Sequence, residues 1–368
     1  MRPALVLLIA LVALPAATPA WAGGFMNGVD ASSLPAVEAG GAVFRDGDTP
    51  GDALAIMKAH GVTAMRIRVW HTPAGGAGDL AEALALARRA AGAGFAIMLD
   101  LHYSDTWADP GHQDIPAAWR DLAMPVLADS VRIYTRDVVR AFTACGIALR
   151  CVQLGNEITN GMLWDTGRTG GAFDTDMQWD QLCALLRAGN EGLDEAVAAQ
   201  LRPQVTIHLD RGGDNAGARR FIDRLVSRNV PFDVIGLSYY PWWHGSLAAL
   251  AANLDDLAVR YGKDVAVVET AYPWTLGWDD DTHNIVGLPS QLLPQYAATP
   301  SGQAAFLTEV LGIVRAVPGG RGVGVFWWEP AWIAAPTCGS AWENLALFDG
   351  DGRALPALSA FGREPQKR

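Results

Sequence analysis

Residues 233–240 read DVIGLSYY, residues 265–272 read VAVVETAY and residues 322–329 read GVGVFWWE. Each is a near-continuous apolar run that ends in polar, aromatic or acidic side chains. Runs of this kind form strands covered on both faces, the condition of a parallel sheet. Five more lie upstream, at residues 25–32, 64–70, 96–103, 149–157 and 204–210. Segments with helical patterning separate them, at 80–93 (LAEALALARRAAGA), 131–144, 179–199, 216–228, 247–261 and 302–317. Gly92 and Gly94 supply a stop signal before the third run. Eight strands alternating with helices predict an α/β fold, a single (β/α)8 TIM barrel with extended βα loops. An open doubly wound sheet is the alternative, but no GxGxxG turn follows the first run.

The first residues stand apart from this pattern. Arg2 carries a positive charge, residues 4–14 are apolar, and Ala20-Trp21-Ala22 gives the small-x-small pattern of a cleavage site. Residues 1–22 are therefore expected to be a signal peptide, and residues 23–368 the (β/α)8 catalytic domain. The apolar run is too short for an ordinary membrane span, and Pro15 and Pro19 interrupt its end. No later segment is apolar for long enough to span a bilayer. The expected location is secreted or periplasmic, off the membrane once the signal is cleaved, and the chain is expected to be a monomer.

A formal net charge of −11 argues against nucleic acid or an anionic membrane as partner. Only 18% of residues are charged, while Trp numbers 14. Neutral sugars are held by aromatic faces and neutral or acidic polar groups, so this balance suits a carbohydrate ligand. The four cysteines, Cys145, Cys151, Cys183 and Cys338, allow three full pairings, and Cys145 with Cys151 would close a short loop. No Cys/His cluster has zinc spacing.

In such barrels the reactive groups lie at the C-terminal ends of the strands. Those ends carry Asp30, then Arg66, Arg68 and Trp70, then Asp100, His102 and Asp105. Asn156 and Glu157 follow, then His208 and Asp210, Tyr239 and Tyr240, Glu269, and last Trp328 and Glu329. Charge at the end of a buried run is costly unless paired. Its recurrence on strand after strand points to a shared site.

Glu157 closes the fourth run (CVQLGNE) and Glu269 ends the VAVVE of the seventh. Strands four and seven of a barrel lie on roughly opposite sides of its mouth, so the two carboxylates can face each other. That is what glycoside hydrolysis needs: one carboxyl as acid/base, here Glu157, and one as nucleophile, here Glu269. Asn156 is placed to hydrogen-bond the sugar 2-hydroxyl. Either glutamate alone is equally well explained by a salt bridge to a barrel arginine such as Arg66. The pair is not.

The arrangement of NE on strand four and E on strand seven resembles clan A retaining glycosidases. Longer strings resemble the arabinogalactan endo-β-1,4-galactanases of glycoside hydrolase family fifty-three. They are GVDASS (28–33), MRIRVW (65–70), LDLHYSDTWADPGHQ (99–113), QLGNEITNGMLW (153–164), IHLD (207–210), GLSYYPWW (236–243), VVETAYPWT (267–275) and FWWEPAWI (326–333). The resemblance runs from about Gly28 to Phe348. It implies that Arg66 holds the nucleophile ionised, although Arg68 shares its parity along the strand and the two are not separated by sequence. It implies that Tyr240 donates to Glu269 and that His208 sits by the acid/base; a packed barrel histidine is an equal reading of His208. Asp100, His102 and Asp105 are assigned to substrate or to supporting hydrogen bonds. Trp107, Trp243, Trp274, Trp328 and Trp332 are candidates for sugar stacking, with Trp328 as the platform at the cleavage point. Glu329 lies outside the catalytic pair.

Some members bind calcium in the loop that here reads WDDDTHN (278–284). Asp279, Asp281 and His283 keep an alternating spacing, but Asn284 falls out of step, and calcium prefers six to eight oxygen ligands. No metal and no cofactor are expected. The resemblance implies retaining endo-hydrolysis of β-1,4-galactan. Another clan A endo-glycanase, a β-mannanase or xylanase, is the alternative. A non-catalytic carbohydrate-binding barrel is the reading from a different class, and the presence of both glutamates speaks against it.

Overall fold

The computed structural model describes residues 24–363, so the signal peptide expected over 1–22 lies outside the described residues. Eight parallel strands close into a barrel. In chain order they are β1 (Met26–Asp30), β2 (Ala64–Val69), β3 (Ala96–Leu101), β4 (Leu149–Leu154), β5 (Gln204–Leu209), β6 (Val234–Tyr239), β7 (Asp264–Thr270) and β8 (Gly322–Trp328). Each pairs with its sequence neighbours, and β1 closes on β8 through the register Asp30↔Trp328. These are the eight runs expected from sequence, trimmed at their polar ends where the chain turns into loops.

The helices are α1 (Leu34–Ala39), α2 (Ala53–Ala59), α3 (Leu80–Gly92), α4 (Met124–Ala144), α5 (Asp176–Ala196), α6 (Asn215–Ser227), α7 (Pro241–His244), α8 (Leu247–Tyr261) and α9 (Pro300–Arg315). Side-chain caps start several of them: Asp79 accepts from Ala81 and Glu82 N–H, and Ser246 accepts from Ala249 N–H. α1, α2 and α7 are too short to show a clear 3.6-residue period, and sequence reading missed them. After β8 the described residues form only single 3₁₀ turns, at Glu343–Leu345 and Leu358–Ala360.

Inside the barrel, Met26, Ala64, Met98, Cys151, Val234, Ala266, Val268 and Phe326 form a compact apolar cluster. Phe326 occupies the axis so closely that a Cβ at Gly28 would lie 2.2 Å from its ring, which explains glycine there. One period of two further along the strands, the inward positions turn polar: Arg66, Asp100, Gln153 and His208. The barrel is thus plugged by apolar packing below and carries its polar groups above, on the side of the βα loops.

The possible bridge between Cys145 and Cys151 is not formed, and all four cysteines are free. Cys151 faces the barrel interior, whereas Cys145 caps the end of α4, where its sulfur accepts from Arg88.

Candidate active site

Glu269 reaches the barrel mouth through a break in strand register. Along β7, Ala266 and Val268 both face the interior, so strict alternation would turn Glu269 outward. Between Leu237 and Ser238 the pairing of β6 with β7 shifts: Leu237 lies opposite Val267, and Ser238 opposite Glu269. This β-bulge resets the alternation and aims the carboxylate inward.

Glu157 follows β4 in a left-handed conformation (φ 47°, ψ 48°), as Gly155 does before it with φ 83°. A non-glycine residue in that region carries strain of order 1–3 kcal/mol and is enriched at functional sites. The turn brings Glu157 over the barrel axis. Its carboxylate and that of Glu269 have oxygens within 4.8 Å of each other, and both line one cleft.

The two carboxyls are held differently. Arg66 Nη1 forms an ion pair with Glu269 Oε1 at 2.9 Å, and Tyr240 Oη donates to Oε2 at 3.0 Å. Among the described residues, the only short partner of the Glu157 carboxyl is Ser238 Oγ, at 2.6 Å from Oε1. Burial pushes the Glu157 carboxyl well above the usual carboxylate range, the Glu269 charge adds to this, and the Ser238 hydrogen bond opposes it. Burial also raises Glu269, to about 7, but the adjacent Arg66 charge is the largest opposing effect. Of the pair, Glu269 is the one to ionise and Glu157 the one to keep the proton. The arrangement provides a proton donor facing an anchored anion.

Arg66 is fully buried and organises the floor of the site. Its Nη1 also donates to Asp30 Oδ2 at 2.7 Å, its Nη2 to Asp100 Oδ2 at 2.8 Å and Asn156 Oδ1 at 2.7 Å, and its Nε to Gln153 Oε1 at 3.1 Å. One guanidinium therefore faces three carboxylates. Arg68 belongs elsewhere: its Nη1 donates to Glu329 Oε1 at 2.8 Å, and its guanidinium lies 4.2 Å from the Trp107 ring. The structure separates the two arginines that sequence could not.

Asn156 lines the cleft, and its Nδ2 donates to Ala108 O at 2.8 Å; its second amide hydrogen has no partner among the described residues. His208 is buried beneath Glu157. Its Nδ1 lies 2.8 Å from Asn156 Oδ1 and its Nε2 lies 2.8 Å from Ser238 Oγ. Burial and the nearby Arg66 keep the ring neutral, with its pKa well below the ordinary value.

Other expected residues are placed differently from one another. Asp100 is fully buried under Arg66 and His102, so it supports the site and is out of reach of a sugar. His102 lines the cleft, but its Nε2 contacts Asp100 at 3.0 Å and its Nδ1 accepts from Trp70 Nε1 and Ala108 N–H, so no ring nitrogen remains for substrate. Of the two roles open to Asp105, substrate contact or supporting hydrogen bonds, the structure shows the second: it accepts from Thr72 and Ala117 N–H and fastens a loop, and it is not among the residues that line the cleft. Trp107, Trp243 and Trp328 line the cleft with the two glutamates. Trp274 does not: its backbone N–H and indole Nε1 bond to Asn344 and Glu343 carbonyls, and it lines a separate hollow with Asp279 and Asp280. Trp332 stands behind Trp328, with ring centres 5.9 Å apart, and bonds Gly339 O.

Sequence reading missed Gln153, Ser238 and Trp342. Gln153 and Ser238 were detectable by parity, since each lies an even number of positions from an inward residue. Trp342, whose ring centre lies 4.4 Å from that of Trp328, sits in a loop without periodicity.

Among the described residues, only Glu157, His208 and Glu269 bring ligand atoms of three such groups this close together. Both His208 nitrogens are engaged, and Arg66 already occupies Glu269, so this set is unsuited to a metal ion. In the 279–284 loop, Asp280 is used by Thr282 and Ser340 N–H, and His283 packs against Trp278.

A family model described as glycosyl hydrolase family 53 matches residues 26–361. A protein of Niallia circulans, described only as an uncharacterized protein in the bgaB 5′ region, is 45% identical over 92% of this chain and 93% of its own. An arabinogalactan endo-beta-1,4-galactanase of Thermothelomyces thermophilus is 35% identical over 92% of this chain and 98% of its own. Among solved structures, the Ignisphaera aggregans GH53 catalytic domain superposes with a TM-score of 0.85 at 35% identity, covering 92% of this chain and 95% of that one.

Proposed function

Because the chain belongs to glycosyl hydrolase family 53, we propose that it cleaves β-1,4-linked galactan internally, with retention of configuration, using Glu157 as acid/base and Glu269 as nucleophile. The observation that carries the mechanism is the approach of the two carboxylates to within 4.8 Å. Retaining glycosidases hold theirs about 5–5.5 Å apart, whereas inverting enzymes need about 6.5–9.5 Å to admit a water.

The steps follow from the geometry. Glu269, anchored by Arg66 and Tyr240, attacks the anomeric carbon. The bond to the glycosidic oxygen breaks as Glu157 delivers its proton there, and the leaving chain departs. Glu157, now a carboxylate, takes a proton from water, whose oxygen attacks the same carbon and breaks the glycosyl ester. Both acids return to their starting forms. Asn156 lines the cleft, where its second amide hydrogen can meet the 2-hydroxyl, and Trp107, Trp243 and Trp328 line it as rings on which sugars can stack.

The polymer reading rests on the galactanase relatives and on a cleft rimmed by tryptophans. Export to the periplasm or beyond rests on residues 1–22 alone. A monomer is supported by the scatter of exposed large apolar side chains, such as Val43, Met177, Leu201 and Val259, over separate elements. Reducing-sugar release from galactan, measured beside mannan and xylan, tests the substrate. Activity is expected on galactan. Activity confined to mannan or xylan overturns the substrate and leaves the mechanism standing.

A further inference from the structure

Ser238 is fully buried on β6, and its hydroxyl lies between the two glutamates and His208. Oγ is 2.6 Å from Glu157 Oε1, 2.8 Å from His208 Nε2 and 3.5 Å from Glu269 Oε2. We propose that Ser238 is a positioning residue for Glu157, its hydroxyl turning from His208 Nε2 to Glu157 Oε1 when Glu157 gives up its proton. This rests on the reading of Glu157 as the acid/base.

A serine hydroxyl has one hydrogen to donate, so its two short contacts compete for it. Which one wins is fixed from the far side of His208. The Asn156 amide is oriented unambiguously, because its Oδ1 accepts from Arg66 at 2.7 Å while its Nδ2 donates to Ala108 O at 2.8 Å. His208 Nδ1 is faced by Asn156 Oδ1 at 2.8 Å, by Gln153 Nε2 at 3.1 Å and by the Glu157 backbone N–H at 3.3 Å; the shortest of these contacts is to an oxygen, and it favours the ring proton on Nδ1. The neutral ring therefore presents a bare Nε2 to Ser238. While Glu157 is protonated, the chain is complete: Glu157 donates to Oγ, Ser238 donates to Nε2, and Nδ1 donates to Asn156. To act as the acid, Glu157 turns its O–H from Oγ toward the glycosidic oxygen; once the proton has gone there, a carboxylate stands 2.6 Å from Oγ, and the hydroxyl turns to it. No bond to hydrogen breaks at Ser238 or His208. The switch is a rotation.

The groups that face Glu157 are Glu269 from β7, Asp210 and His208 at the end of β5, Arg66 from β2 and Tyr240 just after β6. Glu269 and Asp210 disfavour the ionised form of Glu157, and Asp210 is itself held by Thr159. Against them, Ser238 is the nearest neutral donor. A hydrogen bond to a carboxylate is roughly twice as strong as one between neutral groups, so the hydroxyl favours the ionised state on balance. Removing it must therefore raise the pKa of Glu157.

The test is the pH dependence of kcat/KM on galactan for Ser238→Ala and Ser238→Thr, with Glu157→Gln measured beside them. In Ser238→Ala the alkaline limb should move up by about one pH unit, since one unit corresponds to one modest hydrogen bond. kcat should fall about tenfold. The acid limb, set by Glu269 with Arg66 and Tyr240 as nearer partners, should move less. Ser238→Thr, which keeps the hydroxyl, should return the alkaline limb to its original place. If Ser238→Ala fails to fold, the near-isosteric Ser238→Cys, a weaker donor, should shift the limb in the same direction. An alkaline limb unmoved in the hydroxyl-free variant, with Glu157→Gln inactive on galactan, overturns the role of Ser238 alone. Near-native rates in Glu157→Gln overturn the acid/base reading itself.

Discussion

Arg66 Nη1 lies 2.9 Å from Glu269 Oε1, and the same guanidinium also faces Asp30 at 2.7 Å and Asp100 at 2.8 Å. A single buried cation compensates three acids. Replacing Arg66 by Met leaves those carboxylates without their counterion, and breaking a buried pair in this way costs about 3–5 kcal/mol. Denaturant unfolding of Arg66→Met should show a loss of that size. Unchanged stability would mean that the three carboxylates are neutral or solvated in the folded protein.

The two glutamates predict a bell-shaped pH profile. Activity needs Glu269 ionised and Glu157 protonated. It is lost as pH falls through the pKa of Glu269, which burial pushes up to about 7, and as pH rises through that of Glu157, which is higher. The optimum should therefore lie at neutral pH or above, well clear of the ordinary carboxylate range near 4.5. A kcat/KM profile centred near pH 4.5 would contradict the electrostatics of the site.

Removal of either glutamate should leave a different signature. Glu269→Ala loses the covalent path, and kcat should fall on the order of 10⁴-fold or more. Azide should restore none of the retained product. Glu157→Ala loses proton transfer, worth about 10²–10⁴-fold on galactan. Aryl galactosides with good leaving groups, which need little acid help, should recover much of that rate. Near-native kcat in either variant would overturn its assigned role.

Trp243 and Trp328 both line the cleft, but Trp243 is 60% exposed while Trp328 packs against Trp342 and Trp332. Trp243→Ala should raise KM for galactan about tenfold, a stacking loss of about 1.4 kcal/mol, and leave thermal stability unchanged. Trp328→Ala should lower both affinity and melting temperature. Equal destabilisation by the two changes would argue that Trp243 is a packing residue.

The barrel was legible because period-two burial and buried parallel strands are strong local signals, and all eight runs became strands. The pair Glu157 and Glu269 was legible because each ends a run, at the face where barrels carry their chemistry. What escaped depends on neighbours rather than on the residue's own segment. Arg66 and Arg68 share a parity, and only the strands beside them give Arg66 to Glu269 and Arg68 to Glu329. The bulge that turns Glu269 inward is a mismatch between two strands and leaves no trace in either one alone. Asp105, Trp274 and Trp332 lie in loops, where no periodicity says which way a side chain points, and the structure uses them to fasten loops or to back other rings.

The central claim is double displacement by a closely spaced carboxyl pair. It is tested most directly by the anomeric form of the first product, followed by proton NMR as the enzyme cleaves β-1,4-galactan. The β-anomer should appear first, with the α-anomer growing in only by mutarotation. Initial release of the α-anomer would mean inversion, and would contradict a pair of carboxylates with oxygens within 4.8 Å of each other acting as nucleophile and acid/base.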